Sequence, residues 1–461
     1  MTSVVLLPIQ MDTQFVELSR VARLLNQSGK YEPLFWFRTP YKALERDLTI
    51  CHSEDWNYLA PTLPQVTNTQ KWDMQRVWNA LESRLPATIA FIPRVFRLLK
   101  AYRRQVHQMK DLFDEYQPQL IVLADDNIKH LLCVLIQVAR ARGIPSVIVP
   151  FSYASTSTKA EVRFHHAEFM ASNSLVSRLI AARYHHWVYA YKGRKLLHLP
   201  AENVFALEWL GYAPRQPWAY KCEETSLIAV ENEYMFQSYR NENVPEDRLI
   251  MTGALYDDVL AANLQDAEAR RTALFQELDQ PPNQPLLLCA LPQNQFPWPC
   301  DFRDYEALIR FWMGALTDIP GWNVVAKPHP RLTDREIGSL KDYGVKITKR
   351  DTASLIPLCD IYVASVSSTI RWAVACGKPV VNYDVYQTGY RDYEDVQGVI
   401  TINTKDAFLA TLNRMTSESD DLAQITALQR ESMPQWGNLD GKSGERMLQL
   451  FNDVISAGTR R

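Results

Sequence analysis

The sequence holds 461 residues, with 50 lysines and arginines against 52 aspartates and glutamates, and 47% of its residues are hydrophobic. A chain of this size suits two domains better than one core. Its near-balanced charge argues against a nucleic-acid binder, and its composition excludes disordered, collagenous and disulfide-rich classes.

The elements follow a regular alternation of short apolar runs and amphipathic stretches, which predicts parallel sheets covered by helices. Residues 1–25 begin with Val4–Leu7 and have neither a basic leader nor a small-residue cleavage site. They read as a first strand, with a helix from Asp12 to Asn26 after it. Arg84 to Lys110 carries seven basic residues and no acidic one. Its stripe of Val95, Leu98, Leu99, Tyr102, Val106 and Met109 is most simply a core-packed helix with a solvated basic side. Leu120–Leu123, a helix from about Asn127 to Arg142 ended by Gly143, and Ser146–Val149 make the clearest strand–helix–strand unit of the first half.

Phe169 to Ala201 again lacks acidic residues and mixes aromatics with Arg183, Lys192, Arg194 and Lys195. That composition suits an anionic membrane surface or glycolipid, and equally a plain solvated face. Leu227–Val230 and Leu249–Met251 close a first domain near Gly253, and Asn263–Gln284 is a polar stretch ending in a proline-rich turn. Pro285–Ala290, Val324–Lys327, Val345–Thr348, Ile361–Val363 and Val380–Asn382 read as a second set of strands, and Gly441 to Ile455 as a terminal helix. The expected fold class is α/β: two Rossmann-like doubly wound domains facing a central cleft, residues 1–255 and 256–461. No apolar run nears the ~20 residues needed to cross a bilayer. A cytoplasmic protein, at most peripheral to the inner face of a membrane, is expected.

Several chemistries lack their motifs. There is no G-x-G-x-x-G for a dinucleotide, no G-x-S-x-G and no H-E-x-x-H. The run Gly437 to Ser443 is one spacer short of a phosphate loop, and a helix start capped by Asp440 or Ser443 is the better account. His52–Glu54 and His166–Glu168 lack the P-C-x-x-C of zinc deaminases. The seven cysteines never form a C-x-x-C pair, so reduced core thiols and no metal site are expected.

Two motifs carry the functional argument. Val324-Val325-Ala326-Lys327-Pro328-His329-Pro330 is a strand running into a proline-stiffened loop. There His329 can donate to a phosphate oxygen and Lys327 can add charge. Cys359 to Thr369 is a strand ending in hydroxyls, with Ser367, Ser368 and Thr369 at the start of a short helix from Ile370 to Cys376. Hydroxyls and free N–H groups at a helix start favour an anion, although capping alone needs only one of them.

The K-P-H-P loop, the S-S-T turn and the Gly377-Lys-Pro-Val-Val that follows resemble the donor half of GT-B glycosyltransferases. The resemblance is to bacterial capsule and lipopolysaccharide transferases with HP and SS/T motifs, Kdo-transferase-like or sialyltransferase-like, and to CDP-glycerol glycerophosphotransferases. It implies that His329, Ser367, Ser368 and Thr369 contact a donor phosphate, with Lys327 and Pro330 in the same loop. Thr252-Gly253 through Asp257-Asp258 resembles the crossing into the second domain and adds Gly253 to the donor side. Pro118 to Asn127 is similar to a first-domain strand of the same families.

A transferase of this kind uses a nucleotide-sugar donor, a glycan or glycolipid acceptor, no cofactor and no metal. Its base is a carboxylate on the first domain. Asp125 and Asp126 are the candidates, with Asp12 in reserve, and helix capping is the competing account for each. Gln293-Asn294-Gln295 and the aromatics Tyr383, Tyr386 and Tyr390 are further candidates for reading base or sugar. The resemblance leans to a CMP-sugar, with UDP-sugars open. The alternatives are an epimerase of the UDP-N-acetylglucosamine 2-epimerase type, a CDP-polyol phosphotransferase and a non-catalytic assembly scaffold.

Overall fold

In the computed structural model the described residues are 3–61, 87–151, 155–219, 221, 225–296, 298, 300–317, 319–329, 332, 334–389 and 391–458. The chain divides into two compact units. Unit 1 comprises residues 1–230, 237–250 and 445–461, and unit 2 comprises 231–236 and 251–444. The expected change of domain at 255/256 lies close to the crossing at 250/251, while the excursion of 231–236 and the return at 444/445 have no counterpart in a single boundary. The return follows from the last helix, Ser443–Gly458. Its Met447, Leu450, Phe451 and Val454 are buried, and its Asn452 accepts a hydrogen bond from Tyr31 Oη.

Unit 1 is built on β1 (Ser3–Ile9), β2 (Tyr31–Phe37), β3 (Asn57–Leu59), β4 (Leu120–Leu123), β5 (Ser146–Ile148), the hairpin β6 (Val188–Tyr191) and β7 (Arg194–Leu197), β8 (Leu227–Val230) and β9 (Leu249–Met251). Its sheet runs β3-β2-β1-β4-β5-β8-β9, and the pairings from β3 across to β8 are parallel. β4 is apolar throughout and buried throughout, as a strand covered on both faces must be. The helix Asp12–Ser28 ends at Gly29 with φ 65°, a left-handed stop that glycine adopts without a Cβ penalty.

Unit 2 carries β10 (Leu286–Ala290), β11 (Asn323–Lys327), β12 (Lys346–Ile347), β13 (Ile361–Ala364), β14 (Val380–Tyr383) and β15 (Val399–Ile402). Its order is β12-β11-β10-β13-β14-β15, parallel at every pair. Each sheet thus starts in its middle, grows to one side, then steps back across its first strand. The steps, β1 to β4 and β10 to β13, are topological switch points, outside whose carboxyl ends ligands bind in open α/β sheets.

Three sequence expectations need correction. The helix from Asn127 to Arg142 is broken into a 3-10 turn, Ile128–His130, and a helix, Leu132–Arg140, with Leu131 at φ 55° between them. Asn127 causes the break, because its side chain accepts from Lys129 N–H and closes a local turn. The polar stretch from Asn263 is largely helical: Leu255–Gln265 and Ala267–Glu277. In the second of these only Leu274 and Phe275 are buried, which leaves little periodicity to read. The basic segment after Phe169 is not one face but a helix, Leu175–Arg183, followed by the hairpin, whose Lys192–Gly193 turn has φ of 44° and 74°. The stripe on the long helix Ala87–Tyr116 does face the core, where Val95 and Leu99 pack with Ala206.

Cys51, Cys133, Cys289, Cys359 and Cys376 are buried free thiols, and Cys300 is half-buried. Burial pushes the Cys289 and Cys359 thiols up to about 12. Cys222 lies outside the described residues. Among the described residues no helix is long and apolar enough to cross a membrane.

Candidate functional site

Unit 2 gathers the donor candidates along the carboxyl edge of its sheet. Lys327 ends β11 beside Ala290 of β10. Burial lowers its pKa, Lys349 adds to this and Asp351 opposes it. His329 is half-buried two residues on, and its carbonyl accepts from Leu332 N–H. Pro330 lies outside the described residues.

Ser367, Ser368 and Thr369 follow β13, on the far side of β10. Strands about 4.8 Å apart put the two loops roughly 10 Å from each other. Gly253 follows β9 in the left-handed region, with φ 76°, and Thr252 Oγ1 donates to its carbonyl.

The hydroxyl turn is held more tightly than its sequence suggests. Ser367 and Thr369 share a hydrogen bond of 2.7 Å, and Thr369 also bonds Tyr362 Oη. Ser368 is the exposed member. Val366 sits at φ 44°, a costly conformation for a β-branched residue. Its N–H donates to Oδ1 of the buried Asn382 at 2.9 Å. Asn382 is a brace between β14 and this turn.

The aromatic candidates are also structural. Tyr383 is buried and stacks on Trp312. Tyr386, also buried, donates to the Gln293 carbonyl and accepts from Gln295 N–H. Neither ring offers a face to a ligand, and Tyr390 lies outside the described residues.

One turn beyond the hydroxyls a charged cluster is buried in the same unit. Arg371 Nη1 pairs with Glu231 Oε1 at 2.7 Å, with side chains 8% and 2% exposed. The guanidinium lies 5.0 Å from the centre of the Tyr256 ring, which packs on Trp372. Glu231 Oε2 has no partner among the described residues. Asp257 is buried nearby, and desolvation holds its carboxyl well above the usual range despite the Ala254 N–H it accepts. Asp258 receives the N–H groups of Ser443 and Gly444 at 2.9 and 2.8 Å. The phosphate-loop look-alike is thus a helix start occupied by the protein's own carboxylate.

Unit 1 places the three base candidates at its own switch point. Asp12 opens the first helix and accepts from Thr13 N–H. Asp125 and Asp126 follow β4, both half-buried. Gln14 joins the two sides of the switch: its Oε1 accepts from Gln10 N–H and its Nε2 donates to Asp125 Oδ2 at 3.0 Å. Asp125 Oδ1 accepts from Asn127 N–H. Asp126 interacts electrostatically with Lys159, whose pKa burial lowers to about 8. The buried Lys221 donates to the Ala124 carbonyl at 2.8 Å.

No family model and no curated protein matches the sequence. Solved structures do match it over its whole length. The UDP-GlcNAc 2-epimerase from Neisseria meningitidis bound to UDP-GlcNAc aligns over 98% of this chain and 100% of its own, at 11% identity and a TM-score of 0.51. The wall teichoic acid polymerase TagF aligns over 100% of this chain and 90% of its own, at 10% identity and a TM-score of 0.53. The glycotransferase of kitacinnamycin aligns over 98% and 99%, at 14% identity and a TM-score of 0.52. The fold is GT-B.

Within the GT-B frame four residues matter that the sequence did not single out. Gln14, Lys159, Arg38 and His130 are ordinary polar residues in helices and loops. The topology, which brings the ends of β1, β2, β4 and β5 to one edge, places Gln14 and His130 near Asp125 and Lys159 near Asp126.

Proposed function

We propose that the protein is a metal-independent glycosyltransferase that moves a sugar from a nucleotide-activated donor, a CMP-sugar before a UDP-sugar, to a bacterial surface polysaccharide or glycolipid. The observation that carries the reading is the pairing of two basic or hydroxylic loops, Lys327–His329 and Ser367–Thr369, on either side of the β10 switch strand of a GT-B fold. His329 and Ser368 supply donors to the diphosphate or phosphate, Lys327 supplies charge, and Asp125 or Asp126 serves as base. The TagF and kitacinnamycin neighbours support group transfer.

The protein works at a membrane surface in this reading. Ile92, Phe96, Leu175, Leu179 and Trp209 are each more than half exposed on three mutually packed helices of unit 1. In two of these helices the apolar pair is followed one turn later by a cation, Lys100 after Phe96 and Arg183 after Leu179, the arrangement of an interfacial anchor.

A thermal-shift panel of CMP, CDP, UMP, UDP, GDP and ADP tests the donor site, since a ligand of the folded state alone raises the midpoint. One pyrimidine nucleotide should give a shift, and His329→Ala and Ser368→Ala should each weaken it about tenfold. Unaltered affinity in both variants removes the donor assignment. The epimerase neighbour supports a second reading, distinguished by incubating the protein with UDP-GlcNAc alone: inversion at C2 without release of UDP favours the epimerase.

A further inference from the structure

The amino edge of the unit 2 sheet, opposite the edge that carries the donor loops, holds an open cavity of 620 Å3, within the range of small-molecule sites, about 300–1,000 Å3. Its floor is formed by the segments that lead into β10, β11, β13 and β14. One wall is a face of the helix Ser419–Trp436, from Ser419 through Leu422 and Thr426 to Arg430. At 1.5 Å per residue that wall is about 16 Å long. Every lining residue belongs to unit 2.

Two cations stand together at one end. Lys378, half-buried before β14, and Arg430 both line the cavity. The Arg430 stem packs over Gly377, where an added Cβ would stand 3.1 Å from Arg430 Cγ. Neither side chain has a hydrogen bond or ion pair among the described residues. Asp360 lines the cavity too, but its carboxylate is already engaged. Arg271 Nη2 lies 2.8 Å from its Oδ2, which also accepts from Leu286 N–H at 2.7 Å. Asp421, in the first turn of the helical wall, pairs with Arg414 at 3.3 Å. Like charges side by side repel, and a bound anion relieves that cost.

The other end is of different character. Trp322 precedes β11 and Lys378 precedes β14, three strand spacings or about 14 Å away. The indole N–H of Trp322 donates to the Thr416 carbonyl at 2.9 Å, and Met415 and Leu422 add apolar surface. Unengaged positive charge at one end and an aromatic, apolar lining toward the other match a ligand with an anionic head and a ring.

We propose that this cavity is a second small-molecule site, distinct from the donor loops, and that it takes a ring-bearing phosphate monoester, with the phosphate on Lys378 and Arg430 and the ring toward Leu422 and Trp322. A phosphate monoester carries about −1.5 to −2 at pH 7, which two cations balance. The proposal is independent of the transferase reading.

Calorimetric titration of the full chain with 1-naphthyl phosphate, 1-naphthoate and inorganic phosphate at low salt tests it. The naphthyl phosphate should bind at least about tenfold more tightly than either other probe. Lys378→Ala/Arg430→Ala should lose that binding. Thr426→Trp should weaken it about tenfold as well, because it keeps both cations and fills the middle of the cavity; the Thr426 hydroxyl bonds only the Leu422 carbonyl of its own helix. Urea midpoints near the parent's show that the variants fold. No binding at millimolar concentration, equal affinity for the three probes, or full affinity in either folded variant overturns the proposal. Binding that a His329→Ala/Ser368→Ala variant loses and the Lys378→Ala/Arg430→Ala variant keeps also overturns it, by placing the phosphate at the donor loops.

Discussion

Arg371 offers the sharpest test of how unit 2 is held together. Replacing it with methionine keeps most of the volume and deletes the guanidinium 2.7 Å from Glu231. Two unit charges about 4 Å apart attract by about 4 kcal/mol at an effective dielectric of 20. The carboxylate left behind is 2% exposed and already has one oxygen without a partner among the described residues. Water cannot reach it, so the loss should approach the about 3–5 kcal/mol typical of breaking a buried pair. Glu231→Leu should cost a similar amount, because it removes the carboxylate that balances a guanidinium only 8% exposed. The double variant, which buries two apolar side chains instead, should return to within about 1 kcal/mol of the parent. Urea unfolding followed by hydrogen exchange in peptides spanning β13 reads this unit separately. A loss below about 1 kcal/mol for Arg371→Met, or a double variant whose cost equals the sum of the singles, refutes the reasoning.

Two pH predictions follow from other buried groups. The raised pKa of Asp257 means that above about pH 4 the native state keeps a proton that the unfolded chain releases, so this residue makes stability fall as pH rises. Asp257→Asn keeps the acceptor for Ala254 N–H and should flatten that fall, leaving the variant the more stable at pH 7; a parallel pH profile would contradict this. His198 is nearly fully buried, and desolvation followed by the charges of Arg163 and Lys159 holds its pKa well below the usual value. Below about pH 6.5 the unfolded chain binds a proton there that the native one does not. Stability should then drop by about 1 kcal/mol between pH 6.5 and 5.5, a drop that His198→Gln removes; urea midpoints of both proteins across that range decide it.

Much of the second unit was legible because strands such as Leu286–Ala290 and Ile361–Ala364 are unbroken apolar runs, and the shorter Val380–Tyr383 is announced by Gly377 and Pro379 before it. The first unit was less transparent. Pro33 inside β2 argues against a central strand, yet Tyr31–Phe37 pairs along its whole length with β1. The Lys327–His329 and Ser367–Thr369 segments were readable as loops that follow strands. The bracing of the second was not, because Asn382 acts on Val366 through a bond 16 positions away.

The return of the chain at 444/445 sets the order in which the molecule is completed. A ribosome finishes every strand of unit 1 by residue 251 but delivers its last helix only after the whole of unit 2. At about 5–20 residues per second that interval is roughly 10–40 s. For its duration the face around Tyr31 waits open while unit 2, apart from residues 231–236, emerges in one continuous piece. Unit 2 is therefore the part able to mature first in the cell, and a chain cut short near residue 440 should be degraded from its amino-terminal half, the half made earliest.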